Sequence, residues 1–333
     1  MDAVVTFGAI IIGTGIWLYI LRRYDRIEPE DLRNLINVAV LGGLASVLVA
    51  ALANEGVSRA LGIRSSVFLN AERIPLQKLL LFTGIVGFAE EICKATATVY
   101  VTRRFGNLDE PIDAMIYAMT VGLGFAAFEN ALYATRFGNE VLLVRFLWPV
   151  PAHMSYAALW GYGLALARFV YPDRNWFEVM WPSIAVAGVV HAASNFLLFM
   201  QESYTALISL AALGVLAYLA HQRLTRLVAE SPFLEPGECP VCRNLNPPRA
   251  KHCVHCGAPL QETEIFVTCE CGQARVNIHG GQCPACGRVL ESDRAHEHWL
   301  SLRPERQGAA AQGRQNTGGR TEKRRGGDKR RDA

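Results

Sequence analysis

The chain reads as long apolar runs separated by short polar breaks. Runs long enough to cross a bilayer as a helix, about 20 residues, fall at about 2–21, 33–53, 76–101, 111–136, 146–170, 178–199 and 203–221. The first and last are the clearest. The fifth is interrupted near its start by Pro149 and Pro151. The first run has no basic start and no small-residue cleavage site, and Arg22 and Arg23 follow it, so it is expected to remain as a span and not as a removed signal peptide. The pattern predicts an all-α polytopic membrane helix bundle of about seven transmembrane helices.

After the seventh run the pattern changes character. Long apolar runs stop, and eight of the nine cysteines and a basic tail follow. Composition agrees with that split: 51% hydrophobic and 19% charged residues over 333 positions, with a mean hydropathy of +0.18, is too apolar for an ordinary soluble protein. The net charge of +3 is the sum of two unlike parts and describes neither. The expected division is a membrane domain over 1–228, a linker over 229–238, a small β-rich double zinc ribbon over 239–290, and a basic disordered tail over 291–333. Arginines sort the loops. Arg22, Arg23, Arg26 and Arg33 follow the first run, Arg103 and Arg104 the third, Arg168 and Arg174 the fifth, and Arg223 and Arg226 the seventh. The other side carries Arg59, Arg64, Arg73, Arg136 and Arg145, so the bias is moderate. The positive-inside rule then predicts a multi-pass protein of the cell membrane with its N-terminus outside and its C-terminus in the cytoplasm.

Against that background the polar residues inside the runs stand out. Glu90, Glu91, Lys94, Asp113, Glu129, His153 and His191 lie within the spans or near their ends. A charged side chain at the centre of a membrane helix costs about 2.5–3.5 kcal/mol on insertion scales. At about 1.5 Å per residue, Glu90 falls near the midplane, and Glu129, His153, His191 and Asn195 in the outer half. These residues are expected to converge in a packed interior or a water-filled cavity.

The individual motifs suggest chemistry. In "EEICK", Glu90 and Lys94 are four apart and share a helix face. A structural ion pair would need only one carboxylate; a second raises one pKa of the two and suits a general acid or base. In "GLGFAAFENALY", Glu129 is either a catalytic partner or an acceptor that orients a histidine. In "HAASNF", His191 and Asn195 are four apart, and two donors aimed one way can stabilise an oxyanion. His153 follows the Pro-broken start of the fifth run. Glu90 or Glu91 is expected as base, with His153 or Glu129 orienting the water. A glutamate mechanism without metal is preferred, since no His-Glu-x-x-His helix occurs. The same carboxylates and histidines equally suit a divalent metal, zinc above all.

"EEICK", "GLGFAAFENALY", "HMSYAALWGYGLALA" and "HAASNF", in this order over Leu76 to Phe199, resemble the PrsW family of intramembrane proteases. The resemblance implies cleavage of membrane-anchored proteins, notably anti-sigma factors, at the extracytoplasmic side. It matches the family's paired glutamates to Glu90 and Glu91 and its late histidine to His191. More distantly the pattern is similar to the type II CAAX prenyl endopeptidases, in which Glu and His hold the attacking water and a late His and Asn bind the oxyanion. Here Phe125 is followed four residues on by Glu129, not histidine, and Lys94 stands in place of that family's arginine, one position earlier. Those departures argue against a prenylated substrate.

The soluble part carries a different chemistry. Cys239, Cys242, Cys253 and Cys256 form a Cys-x2-Cys…Cys-x2-Cys set with zinc-site spacing. Cys269, Cys271, Cys283 and Cys286 form a second, looser set. Two structural Zn2+ ions are expected, and they supply the folding energy that so short a segment lacks. Disulfides fit poorly with a cytoplasmic location. The ribbons are expected to bind a cytoplasmic protein or nucleic acid, and the Arg/Lys-rich tail to be a solvated segment. The leading function is an intramembrane endopeptidase acting on a single-pass membrane protein within the lipid bilayer. The alternative is a transporter using Glu and His as a proton or cation relay, but the sequence shows no internal repeat.

Overall fold

The computed structural model describes residues 3–63, 74–105, 108–200, 202–231, 238–244, 246, 252–253, 255–260, 266–267, 271, 276–277, 283 and 285–286. The chain divides into two compact units, Met1–Thr263 and Glu264–Ala333. The first contains helices α1 (Ala3–Arg22), α2 (Leu32–Leu61), α3 (Leu76–Phe105), α4 (Pro111–Phe137), α5 (Val141–Leu147), α6 (Pro149–Ala165), α7 (Trp176–Phe199) and α8 (Ser203–Ala229). Five of them, α1, α2, α4, α7 and α8, are long and apolar enough to cross a membrane. The protein is therefore a multi-pass membrane protein.

The two remaining helices of the expected seven are α3 and α6. Glu90, Glu91 and Lys94 lower the hydropathy of α3, and α6 has only 17 residues. The fifth apolar run, expected as one span over 146–170, is three pieces. Helix α5 stops at Leu147, Trp148 leaves helical geometry at φ −125° and ψ −71°, and α6 restarts at Pro149 before widening into a π-helical turn over Leu166–Val170. Proline explains the restart: it has no N–H to contribute to a preceding turn, and its fixed φ suits the first helical position.

Helix α4 is the centre of the bundle. Every residue from Ile112 to Ala126 is buried, and α4 packs on α1, α2 and α6. Outer helices present apolar side chains outward, such as Ile11 and Ile12 on α1 and Leu207 and Ile208 on α8, as lipid contact requires. Small residues set the closest crossings. A Cβ on Gly43 of α2 would collide with the backbone of Gly124 on α4. One on Gly122 would lie 2.8 Å from the His153 carbonyl of α6, and one on Gly87 of α3 would lie 2.6 Å from the Ala192 nitrogen of α7. The last two crossings bring the polar residues of α4, α6, α3 and α7 to one level.

In the second unit, β1 (Phe266–Val267) pairs antiparallel with β2 (Val276–Asn277). The first cysteine set belongs to the first unit and carries an isolated antiparallel bridge, His252 to Pro259.

Candidate active site

Four helices bring their polar side chains together inside the bundle. Glu90 and Glu91 come from α3, Glu129 from α4, His153 from α6 and His191 from α7, and all but Glu129 are buried. The two adjacent glutamates have different surroundings. Glu91 is fully enclosed. Its Oε1 accepts from Lys94 Nζ at 2.5 Å and from His191 Nδ1 at 2.7 Å, and its Oε2 accepts from Trp160 Nε1 at 3.0 Å. Glu90 is held on one oxygen only, by Asn54 Nδ2 at 3.0 Å; its Oε2 is buried with no hydrogen-bond partner.

That asymmetry determines the state of His191. With Nδ1–H donated to an ionised carboxylate, the ring presents the lone pair of Nε2. Nε2 lies 3.7 Å from the unpartnered Glu90 Oε2. Two acceptors facing each other in a dry interior repel unless a proton or a cation lies between them. His153 is the third member. Its Nε2 lies 3.2 Å from Glu129 Oε2 and its Nδ1 lies 3.2 Å from Lys94 Nζ, and its ring meets His191 edge-on at 5.2 Å. One ligand atom each from Glu90, His153 and His191 lies within 4.8 Å of the others. Two imidazoles and a carboxylate are a donor set suited to zinc, and the Glu91–His191 bond is the carboxylate–histidine support that such ligands use. These residues fit a metal.

The surroundings fix the constellation in place. Arg145 on α5 pairs with Glu129 and donates from Nε to Asn130 Oδ1 at 2.6 Å. Tyr156 stacks on the His191 ring at 4.7 Å, and Phe125 packs on His153 at 5.2 Å. Asn195, one turn beyond His191, is half-buried, and its side chain makes no hydrogen bond among the described residues. The structure thus gathers the glutamates and both histidines and leaves Asn195 beside them. Asn54, Arg145 and Trp160 are supporting residues that the motifs did not single out. Asn54 and Arg145 carried a signal, being polar beside apolar runs. Trp160 carried none, since its indole N–H reads as one more aromatic.

In the first cysteine set, Cys239 and Cys256 sulfurs are 3.7 Å apart and those of Cys242 and Cys253 3.5 Å. Tetrahedral thiolates around zinc, with Zn–S near 2.3 Å, sit about 3.8 Å apart. Val241 N donates to Cys239 Sγ and His255 N to Cys253 Sγ, each at 3.4 Å, as thiolates held in a tight turn accept. All four residues form a group able to hold a metal, and so do Cys271, Cys283 and Cys286 of the second set. Cys269 lies outside the described residues. His252 and His255 are exposed. Cys93, half-buried next to the glutamates, stands apart from both sets.

An intramembrane cluster of two histidines and carboxylates, enclosed by apolar helices, defines a polytopic membrane protein with a buried polar centre. The chain belongs to the PrsW family of intramembrane metalloproteases, whose model matches residues 30–221, more than half of its length. It is 30% identical to the protease PrsW of Geobacillus kaustophilus over 115 residues, which is 34% of this chain and 50% of that protein. It is 33% identical to the protease PrsW of Bacillus subtilis over 112 residues, 34% of this chain and 51% of the relative. A longer match, 25% identical over 207 residues, covers 57% of this chain and 95% of the protease PrsW of Halalkalibacterium halodurans. The chain thus spans about half the length of the first two relatives. No solved structure matches it.

Proposed function

We propose that the chain hydrolyses a peptide bond of a single-pass membrane protein, of the anti-sigma-factor kind, at a metal site held by Glu90, His153 and His191. The observation that carries this reading is the pair of facing acceptors, His191 Nε2 and the unpartnered Glu90 Oε2, with His153 within ligand range. The metal-free glutamate mechanism expected from the motifs would place a proton between that pair and leave His153 outside it. A metal would compensate both acceptors and draw His153 into the same donor set, which is why the metal is preferred here. A divalent metal such as zinc supplies Lewis-acid polarisation and a water of lowered pKa.

The chain's own residues do the rest. Glu91 keeps His191 in one tautomer and neutralises Lys94. Glu129 is the most exposed of the three carboxylates, its side chain 20% accessible against 7% for Glu90 and none for Glu91. It takes the proton of the attacking water, while Arg145 holds it in place. The Asn195 amide donates to the substrate carbonyl. The apolar helices exclude bulk water, which strengthens each of these interactions.

The ribbons lie in the cytoplasm with the C-terminus and bind a protein or nucleic-acid partner. The N-terminus is outside, and scission falls in the outer part of the substrate's span. The domain division proposed from the sequence, 1–228, 229–238, 239–290 and 291–333, accompanies this reading.

Metal analysis of the purified full chain tests the site. The variant H191A is expected to hold one zinc equivalent fewer than wild type, with the cysteine sites still filled. Equal zinc content in both would overturn the metal assignment. The loss of substrate cleavage in H191A then tests the protease reading separately.

A further inference from the structure

A second buried acidic cluster lies far from the reaction centre. The loop between α1 and α2 contributes Asp25 and Glu30, the turn into α4 contributes Asp109 and Glu110, and the first turn of α4 contributes Asp113. Asp113 is 16 residues from Glu129 on the same helix, about 24 Å at 1.5 Å per residue. One carboxylate oxygen each of Asp25, Glu110 and Asp113 lies within 4.8 Å of the others, and Glu30, Asp109 and Asp113 form a second such group. Asp25, Glu110 and Asp113 are at most 2% exposed.

Backbone and hydroxyl donors satisfy part of the cluster. Asp25 Oδ2 accepts from Glu30 N at 2.6 Å. Asp113 Oδ2 accepts from the amides of Asp109 and Glu110 at 3.1 and 2.7 Å. Glu110 Oε1 accepts from Ser231 Oγ, just past α8, at 2.8 Å. The other oxygens of two of the three are not satisfied: Asp25 Oδ1 and Glu110 Oε2 are buried without any hydrogen-bond partner. None of Asp25, Glu30, Glu110 and Asp113 makes an ion pair among the described residues. Buried carboxylates are normally paired or bound to a metal. Two orphaned oxygens inside a nest of carboxylates are what a cation would satisfy.

We infer that Asp25, Glu110 and Asp113 form a binding site for a hard divalent cation, of the Ca2+, Mg2+ or Mn2+ type, that ties the α1–α2 loop to the start of α4. The donor set is all oxygen, with no sulfur or imidazole, which separates it from the zinc-type sites elsewhere in the chain. Burial above all, reinforced by the neighbouring carboxylates and only partly offset by hydrogen bonds and, at Asp25, by Arg22, raises Glu110 to about 8, Glu30 to about 7 and Asp25 to about 6, so ionising the whole group is costly. The site also lies next to the first ribbon. Arg243, beside Cys242, donates from Nη1 to the Ile27 carbonyl of the same loop at 3.0 Å. A bound cation would thus hold the loop on which the ribbon rests.

The test is Mn2+ binding to the purified full-length protein in detergent, with its zinc retained, counted by the free-ion electron paramagnetic resonance signal. E90Q is expected to bind one Mn2+ that millimolar Ca2+ or Mg2+ displaces, since that variant removes a ligand of the other centre and leaves this cluster intact. D25N and E110Q should each weaken that binding by about 10-fold or more. No displaceable Mn2+ in wild type and E90Q, or unchanged binding in both cluster variants, overturns the site. Should one cluster variant fail to insert, the other decides. Should both fail, D113N is measured in their place under the same criteria. Proteolysis is not read, so the outcome stands whatever becomes of the protease assignment.

Discussion

Two adjacent glutamates with the same chemistry have opposite surroundings, and substitution should separate them. E90Q removes an unpartnered oxygen and leaves its neighbours satisfied. It is expected to abolish substrate cleavage while membrane abundance and Tm stay near wild type. E91Q removes the charge that compensates the fully buried Lys94 and orients His191. Breaking one partner of a buried pair costs about 3–5 kcal/mol, so E91Q should lose cleavage and also lower Tm in a detergent melt followed by size-exclusion fluorescence. If E91Q melted with wild type and E90Q did not, the roles would be reversed. R145A is the milder case. It frees Glu129 from its charge partner and Asn130 from a 2.6 Å bond. Cleavage should fall partway, because Glu129 loses the guanidinium that holds it in place. Cleavage equal to wild type would count against Glu129 as the proton acceptor.

The crossings between helices set the distances in the site. Gly87 lets α3 approach α7 closely enough for Glu91 to reach His191, and Gly122 does the same for α4 and α6 beside His153. Backbone atoms face both positions, so a side chain there cannot be absorbed by a rotamer change. Overpacking of a well-packed core costs about 1–3 kcal/mol. G87V and G122V should therefore remain inserted, with lower Tm, and lose most cleavage along with the zinc equivalent assigned to the site. The control is G84V, on α3 but with nothing within 4 Å of an added Cβ, which should leave cleavage and zinc content unchanged. Loss of cleavage in G84V equal to that in G87V would mean that the crossing is not what matters.

At the scale of the whole molecule, topology links the bundle to the ribbons. In the proposed topology the zinc thiolates lie in the reducing cytoplasm, on the side where the arginine bias predicts the C-terminus. A reporter active only in the cytosol should work when fused after Ala229, at the end of α8, and should fail when fused at Met1. The reverse pattern would place the ribbons in an oxidising compartment and turn the reaction centre toward the cytoplasm. The protease proposal would then need a different class of substrate.

The sequence by itself determined the helical membrane class, the motif residues and the cysteine sets, because each depends on local pattern. Apolar length makes a span, Cys-x2-Cys spacing makes a metal knuckle, and "EEICK" and "HAASNF" put paired polar residues on single helix faces. Local pattern also showed where it would fail. Pro149 and Pro151 marked the break in the fifth run, though not the separate α5 that the break creates. Only the tertiary structure decided which glutamate is buried in hydrogen bonds and which has a free oxygen, because the partners come from α2, α6 and α7, up to 100 residues away. The same holds for Asp25 and Glu110, which are unremarkable loop residues in the sequence. They become a cluster only when the α1–α2 loop folds over the start of α4. A side chain's charge can be read from its own position, but its compensation depends on what other segments bring to it.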